Sequence, residues 1–313
     1  MAAARRLAKR SFRRVDRRFL VEGPQAVTAA LSATGAEGEP ALSELFCTGA
    51  AASHHPALLD RAAGAGVPVT LVSGEVLGTL AATVTPQGVV GVAAFRDVSL
   101  ALALAGEPAL VVVLAAVRDP GNAGTVLRAA DAAGADAVVF TDASVDPYNG
   151  KCVRASAGSL FHLPFSVGVP ASEAVAALRA GGLQVLAAEG SAAADLDSVA
   201  DAGDLAGRTG WVFGNEAWGL PAGLLALVDR AVRVPIHGRA ESLNLAAAAA
   251  VCLYASARAQ RGPAGCLALA SPSDARARRP SGAEWSTASA PEQESVDTGA
   301  RASRPAGVRK EGS

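Results

Sequence analysis

Between Ala109 and Arg261 six short apolar runs, Leu110 to Leu114, Ala137 to Phe140, Phe165 to Val167, Gln184 to Ala187, Trp211 to Phe213 and Val232 to Val234, are separated by stretches that mostly have helical spacing. Runs of this length with little alternation are what strands look like when both faces of a sheet are covered. Strand and helix in turn predict a mostly parallel sheet with helices on both sides. In such a sheet the site lies where loops leave the carboxyl ends of the strands.

The rest of the chain divides around this unit. Residues 19–95 read as a smaller α/β domain, with helical spacing over 24–33, a strand over 67–72, a short helix over 73–80, and the Val-rich strand QGVVGVAAF (87–95) entered through Gly88. Residues 96–108 turn polar and end in Gly106 and Pro108, which marks a linker. Residues 262–313 are rich in Ala, Ser, Pro, Gly and Arg, with little to bury, and are expected to be disordered.

Net charge, −1 overall, conceals an asymmetry. Residues 1–18 hold eight Lys or Arg against Asp16 alone, a net +7; the tail from 262 carries +1, so the middle carries −9. Arg5, Arg6, Lys9, Arg10, Arg13, Arg14, Arg17 and Arg18 come in pairs every four residues, leaving Leu7, Val15 and Phe19 for the other side, which on one helix makes a basic face. Such an arm suits nucleic acid, whereas the acidic body lacks a basic footprint. A solvated helix or a transit peptide is the alternative.

Other classes are disfavoured. No stretch reaches the roughly eighteen uninterrupted apolar residues of a membrane helix. Cys47, Cys152, Cys252 and Cys266 are scattered, with no C-x-x-C pair, and nothing completes a ligand set around His54 and His55, so neither a metal nor a disulfide framework is expected and a reducing cytoplasm fits.

Three loops carry chemistry. DPGNAGTVLR (119–128) resembles a dinucleotide-binding turn but lacks the third glycine; Gly121 and Gly124 let the backbone approach a partner, with Asn122 and Arg128 facing it, unless Arg128 merely pairs with Asp131. WVFGNEAWGLP (211–221) runs from an apolar strand into a turn bearing Glu216, with Gly214 and Gly219 freeing the backbone for a ligand. VPIHGRAESLN (234–244) precedes an Ala-rich helix ending at Gly262-Pro263; Ser242 reads as its N-cap, and Asn244 places an amide in the first turn, where an anion is favoured.

The patterns N-x-G-x-x-x-R (Asn122, Gly124, Arg128), G-x-E-x-x-G-L (Gly214, Glu216, Gly219, Leu220) and P-x-x-G-x-x-x-S-L-N (Pro235, Gly238, Ser242, Leu243, Asn244) occur in order. Together they resemble the SpoU branch of the SPOUT RNA methyltransferases, which methylate a ribose 2′-hydroxyl from S-adenosylmethionine. RRFLVEGPQAV (17–27) and QGVVGV (87–92) are similar to the ends of the L30e-like substrate-binding domain of many members, and RASAGSLFHLPF (154–165) matches a segment between the first two motifs. Two positions depart from the family pattern: His237 replaces a frequent Met, and Val234 stands where Ile is common.

This resemblance implies a SPOUT domain over 109–261 with a deep trefoil knot, an exception to the rule that chains stay unknotted. It implies backbone contacts to the cofactor at Gly214, Val234, Ile236 and Leu243, and a homodimer with its site across the interface. Arg128 is then the catalytic arginine. A guanidinium stays charged in proteins, so an electrostatic role toward phosphate and developing alkoxide fits it better than proton abstraction. Asn122, Glu216, Ser242 and Asn244 would fix that arginine, the ribose and the cofactor, with Glu216 the second candidate proton acceptor. RNA contacts are expected at Arg154, from the partner subunit, and at Arg17 and Arg18 of the arm. The added domain favours 23S ribosomal RNA over transfer RNA. A non-catalytic RNA-binding protein and a nicotinamide-dependent oxidoreductase, the latter suggested by the first turn and Asp142, remain as alternatives.

Overall fold

A computed structural model describes residues 1–35, 38–81, 83 and 85–265; the stretch from 266 to the end of the expected disordered tail lies outside the described residues. Two sheets form. The first is built from β1 (Arg18–Glu22), β2 (Leu42–Thr48), β3 (Val69–Val72) and β4 (Val89–Ala94) in the order β1-β4-β2-β3, antiparallel except for the β2/β3 pair. The second comprises β5 (Leu110–Leu114), β6 (Ala137–Thr141), β7 (Phe165–Val169), β8 (Gln184–Ala188), β9 (Ala194–Asp195), β10 (Thr209–Phe213) and β11 (Arg230–Arg233). Its order is β7-β6-β5-β10-β8-β11-β9 and every pairing is parallel.

The apolar runs of β5, β6 and β10 have the cause expected of them, being buried throughout, whereas β7 and β11 are partly exposed. In β5, Leu110, Val112 and Leu114 enter one core, and Val111 and Val113 the core on the opposite face. Side chains alternate across the sheet, so a strand covered on both faces must be apolar throughout. No helix of the described residues is long and apolar enough to cross a membrane.

Several elements differ from expectation. β1 and β2 were not anticipated, nor were the helices Gly49–His54 and Pro56–Gly64 or the two-residue β9. β7 extends to Val169, and the last strand is Arg230–Arg233, displaced toward the N-terminus. The 96–108 linker contains a short helix, Leu100–Ala103, capped by Ser99, and Val98 N–H donates to the Phe165 carbonyl at 2.9 Å. The linker is thus held against the second sheet.

The first sheet is packed on the second unit through aromatic rings. Tyr148 stacks on Phe95 with centroids 3.7 Å apart and tilts against Phe19 at 4.7 Å. Its hydroxyl donates to Asp97 Oδ1 at 2.5 Å and accepts the Arg96 and Asp97 amides at 2.7 and 2.8 Å, so the buried phenol is fully bonded.

The basic segment is not one helix with a basic face. It forms Ala2–Arg6 and Arg10–Asp16, separated by a turn, and Val15 is 77% exposed. Arg13, expected on the basic side, is 5% exposed: it donates to the Leu7 and Ala8 carbonyls at 3.0 and 2.9 Å and pairs with Asp146 at 2.7 Å. Segments this short take the conformation their docking surface imposes. The Arg13→Ala variant leaves Asp146, itself mostly covered, with Arg10 at 3.9 Å as its one cationic neighbour among the described residues. We expect a loss of about 3 kcal/mol, read as a lower urea midpoint with unchanged slope.

Candidate active site

Three loops at the carboxyl edge of the second sheet meet in one place, and local chemistry shapes each. After β5, Ala116 takes φ 57, a conformation that is costly for a residue with a Cβ. It is held there because its amide donates to Thr141 Oγ1 at 3.1 Å and its carbonyl accepts Asn215 Nδ2 at 2.8 Å. Asp119 then caps the helix Pro120–Ala133 through the Asn122 amide at 2.8 Å. Lys151 Nζ at 2.6 Å, together with that amide, holds the Asp119 carboxyl below the usual range.

After β10, Asn215 and Gly219 exchange backbone hydrogen bonds at 3.1 and 3.0 Å, closing a tight turn with Gly219 at φ 66. Buried Asn215 also accepts the Ala217 amide at 2.8 Å. At Gly214 a Cβ would come within 2.6 Å of the Gly219 carbonyl carbon, so the motif's first glycine makes room for its second.

After β11, the chain runs from Val234 to Asn244 and enters the helix Leu245–Gly265, which breaks at Gly262 (φ 64) as the Gly-Pro signal predicts. The cap is Asn244, whose Oδ1 accepts the Ala246 amide at 2.9 Å; Ser242 is exposed and lies two residues before the cap. Both residue types cap well, and the start of the helix at Leu245 decides between them.

Side chains join the three loops. Asn244 Nδ2 donates to Asn122 Oδ1 at 3.0 Å, and Asn122 Nδ2 donates to Glu216 Oε1 at 3.0 Å. Glu216 also accepts the Arg118 and Asp119 amides at 3.4 and 3.3 Å. One residue from each sequence motif thus enters a single hydrogen-bonded row, with the Asn122 amide oriented by an acceptor on one side and a donor on the other.

The row borders a cleft of about 700 Å³, within the range of ligand pockets. Its lining includes Gly214, Val234, Ile236 and Leu243, and also Asn122, Glu216, Ser242 and Asn244. Glu189 and Gly190, after β8, line it as well, and the sequence reading missed them although they follow a strand at the same sheet edge. Among the described residues Glu189, Glu216 and Glu241 face it against the single cation Arg233, whose guanidinium donates to the Ala192 and Ala193 carbonyls at 2.7 and 3.0 Å. Such a lining favours a cationic ligand. The Cys152 and Cys252 thiols are buried elsewhere in the core and pushed up by desolvation, Cys252 to about 12, which keeps them protonated.

Other expected site residues lie apart. Gly124 does not open space for a ligand: a Cβ there would meet the Cys152 carbonyl oxygen at 2.3 Å, so it serves the packing of Pro120–Ala133 on the helix Gly150–Ser156. Arg128 is outside the cleft lining, exposed, and about 9 Å along its helix from Asn122. Asp131 pairs with His162 at 2.7 Å, and Arg128 forms no salt bridge among the described residues. Arg154 pairs with Glu22 at 3.0 Å; Arg17 lies 3.3 Å from Asp97, and Arg18 3.9 Å from Glu44.

Known proteins resemble this chain in both of its sheets' domains. Residues 109–254 match the SpoU rRNA Methylase family, and residues 20–97 match the RNA 2′-O ribose methyltransferase substrate-binding family. The 23S rRNA (guanosine(2553)-2′-O)-methyltransferase RlmP of Bacillus subtilis is 34% identical over 236 residues, 75% of this chain and 87% of the relative. An AdoMet-bound rRNA methyltransferase from Sinorhizobium meliloti superposes with a TM-score of 0.69 at 30% identity, covering 82% of this chain and 92% of that one. The SpoU methyltransferase AviRb from Streptomyces viridochromogenes, in complex with AdoMet, gives 0.69 at 27% identity, over 82% and 96%. With its three motifs assembled at one sheet edge behind a matching substrate-binding domain, the chain belongs to the SpoU family of RNA methyltransferases.

Proposed function

We propose that this protein transfers a methyl group from S-adenosylmethionine to a ribose 2′-hydroxyl of 23S ribosomal RNA, in the cytoplasm and as a homodimer. The observation that carries the reading is the Asn244–Asn122–Glu216 row along the cleft. The cleft fits the cofactor on its own chemistry: backbone at Gly214, Val234, Ile236 and Leu243 offers amides and carbonyls to an adenosine, and the acidic lining suits a sulfonium and an ammonium. When bound, S-adenosylmethionine supplies an electrophilic methyl.

The chain's part is alignment and charge. Asn122 and Asn244 orient the ribose, Ser242 offers an exposed hydroxyl at the same rim, and Glu216 is the acceptor for the 2′-hydroxyl proton. Arg128 holds a phosphate and offsets alkoxide charge. Arg17 and Arg18, each about half exposed, meet the RNA backbone; Arg154, paired with Glu22 and about a quarter exposed, contacts RNA bound at the other copy's site. The reading includes a trefoil knot, supported by β11 lying between β8 and β9 although it is last in sequence.

Two copies pair through the helices that carry Asn122 and Asn244. These run side by side in the same direction, since Asn244 bonds Asn122 at one end and Arg261 bonds the Ala133 carbonyl at the other. On the outer face of the second, Val251 and Tyr254 are 44% and 54% exposed, roughly level with Arg128 on the first. Covering that face with a second copy buries the apolar pair and brings each Arg128 toward the other copy's site.

The test incubates the purified protein with tritiated S-adenosylmethionine and either protein-free 23S rRNA or bulk tRNA, followed by alkaline hydrolysis. A 2′-O-methyl group blocks cleavage at its own 3′ phosphate, so label is expected in alkali-resistant dinucleotides from 23S rRNA. Label in tRNA alone replaces the substrate; label in bases, or none, overturns the reading.

A further inference from the structure

We infer that Trp218 and Arg118 form a stacking platform for an unpaired base of the RNA beside the methylated ribose. This rests on the RNA methyltransferase reading above. Trp218 sits in the Asn215–Gly219 turn, two residues after Glu216, and is 59% exposed. Arg118 lies on the neighbouring loop, its backbone amide donating to Glu216 Oε2, while its guanidinium carbon stands 5.4 Å from the centre of the Trp218 ring. Its side chain forms no salt bridge among the described residues. An indole and a guanidinium are thus presented together to solvent, anchored on the carboxylate that faces the cleft.

The contrast with Trp211 shows what an indole does here when it serves packing: Trp211 is fully buried and its Nε1 donates to Ser256 Oγ at 2.9 Å. Trp218 is outside the cleft lining, so it does not wall the cofactor. A large flat apolar face left in water beside a permanent cation matches how proteins hold unpaired bases, by stacking on aromatic faces and guanidinium planes. A ribose delivered to the Asn122–Glu216 row puts its own base or the adjacent one at this platform. Double-stranded RNA cannot offer a free base face, so the platform selects a loop, bulge or opened strand as the target.

The experiment compares wild type, Trp218→Phe and Trp218→Leu for binding and methylation of protein-free 23S rRNA, with S-adenosylmethionine affinity measured by calorimetry. Trp218→Leu is expected to raise the RNA Kd and KM about tenfold, the loss falling on these rather than on kcat. Trp218→Phe restores most of it, and cofactor affinity stays unchanged in both. Added RNA quenches part of the wild-type tryptophan fluorescence, and that part is absent from Trp218→Phe. If Leu and Phe behave alike, or if cofactor affinity falls in step with RNA affinity, the indole is a packing group and the inference is overturned. Wild type that methylates RNA with unaltered Trp218→Leu removes only the platform; wild type that neither binds nor methylates rRNA removes the functional reading as well.

Discussion

Arg128→Ala is expected to lower kcat for methylation of 23S rRNA at least a hundredfold while S-adenosylmethionine binds within twofold of wild type. Removing one preorganised donor from a developing oxyanion costs roughly 10²–10³ in kcat, and Arg128 makes no contact to the cleft whose loss would weaken the cofactor. A companion experiment separates two placements of this guanidinium. Arg128→Ala and Glu216→Ala are each expected to be inactive, and the two are mixed after dissociation of the proposed dimers. If Arg128 serves the partner's cleft, a hybrid dimer has one intact site, combining the Glu216 of one copy with the Arg128 of the other. Random pairing then restores about a quarter of wild-type activity. If Arg128 serves its own cleft, every hybrid site lacks one group and the mixture stays inactive. Since Arg128 stands about 9 Å along the helix from Asn122, level with exposed Val251 and Tyr254, recovery is the expected result.

What the sequence revealed and what it hid have physical causes. β5 was readable because both of its faces are buried, which forces apolar residues at every position from Leu110 to Leu114. β1 was not, because only Phe19 and Val21 are fully buried, between the charged residues Arg18, which is exposed, and Glu22, which is covered by its pairing with Arg154; two apolar positions are a pattern too short to declare itself. The arm's charge period suggested one helix, but no local rule foretells that Arg13 finds Asp146, 133 residues away. At the site, the three motifs named the residues that bond one another, yet assigned wrong reasons to some. Gly124 looked like room for a ligand and is room for the Cys152 carbonyl; Ser242 looked like the helix cap, which is Asn244. Glu189 and Asn215 escaped because a single carboxylate or amide after a strand has no signature until the neighbouring loop is known.

The second large effect is expected at Gly214, where space rather than backbone freedom is the constraint. An added Cβ would lie 2.6 and 2.7 Å from the carbonyl carbon and oxygen of Gly219 and 2.8 Å from Leu220 Cγ. The first two are backbone atoms fixed by the reciprocal Asn215–Gly219 hydrogen bonds, so the alanine cannot be accommodated by a side-chain rotation. The turn must open, carrying Glu216 away from Asn122 and moving the wall of the cleft. Gly214→Ala should therefore cost about 1–3 kcal/mol of stability, as overpacking does, and weaken S-adenosylmethionine more than tenfold. Gly219→Ala separates strain from space: its φ of 66 is unfavourable, but its Cβ would meet only the end of the Glu189 side chain at 3.0 Å, which can swing aside. Cofactor affinity should then fall less than in Gly214→Ala. At Gly223, in the helix Ala222–Leu225, nothing lies within 4 Å of the added Cβ, and alanine should leave both stability and affinity intact or slightly improved. Calorimetric titration and urea unfolding of the three variants give the order directly. A Gly214→Ala protein that binds the cofactor as tightly as Gly223→Ala would show that this turn is not the wall that holds it.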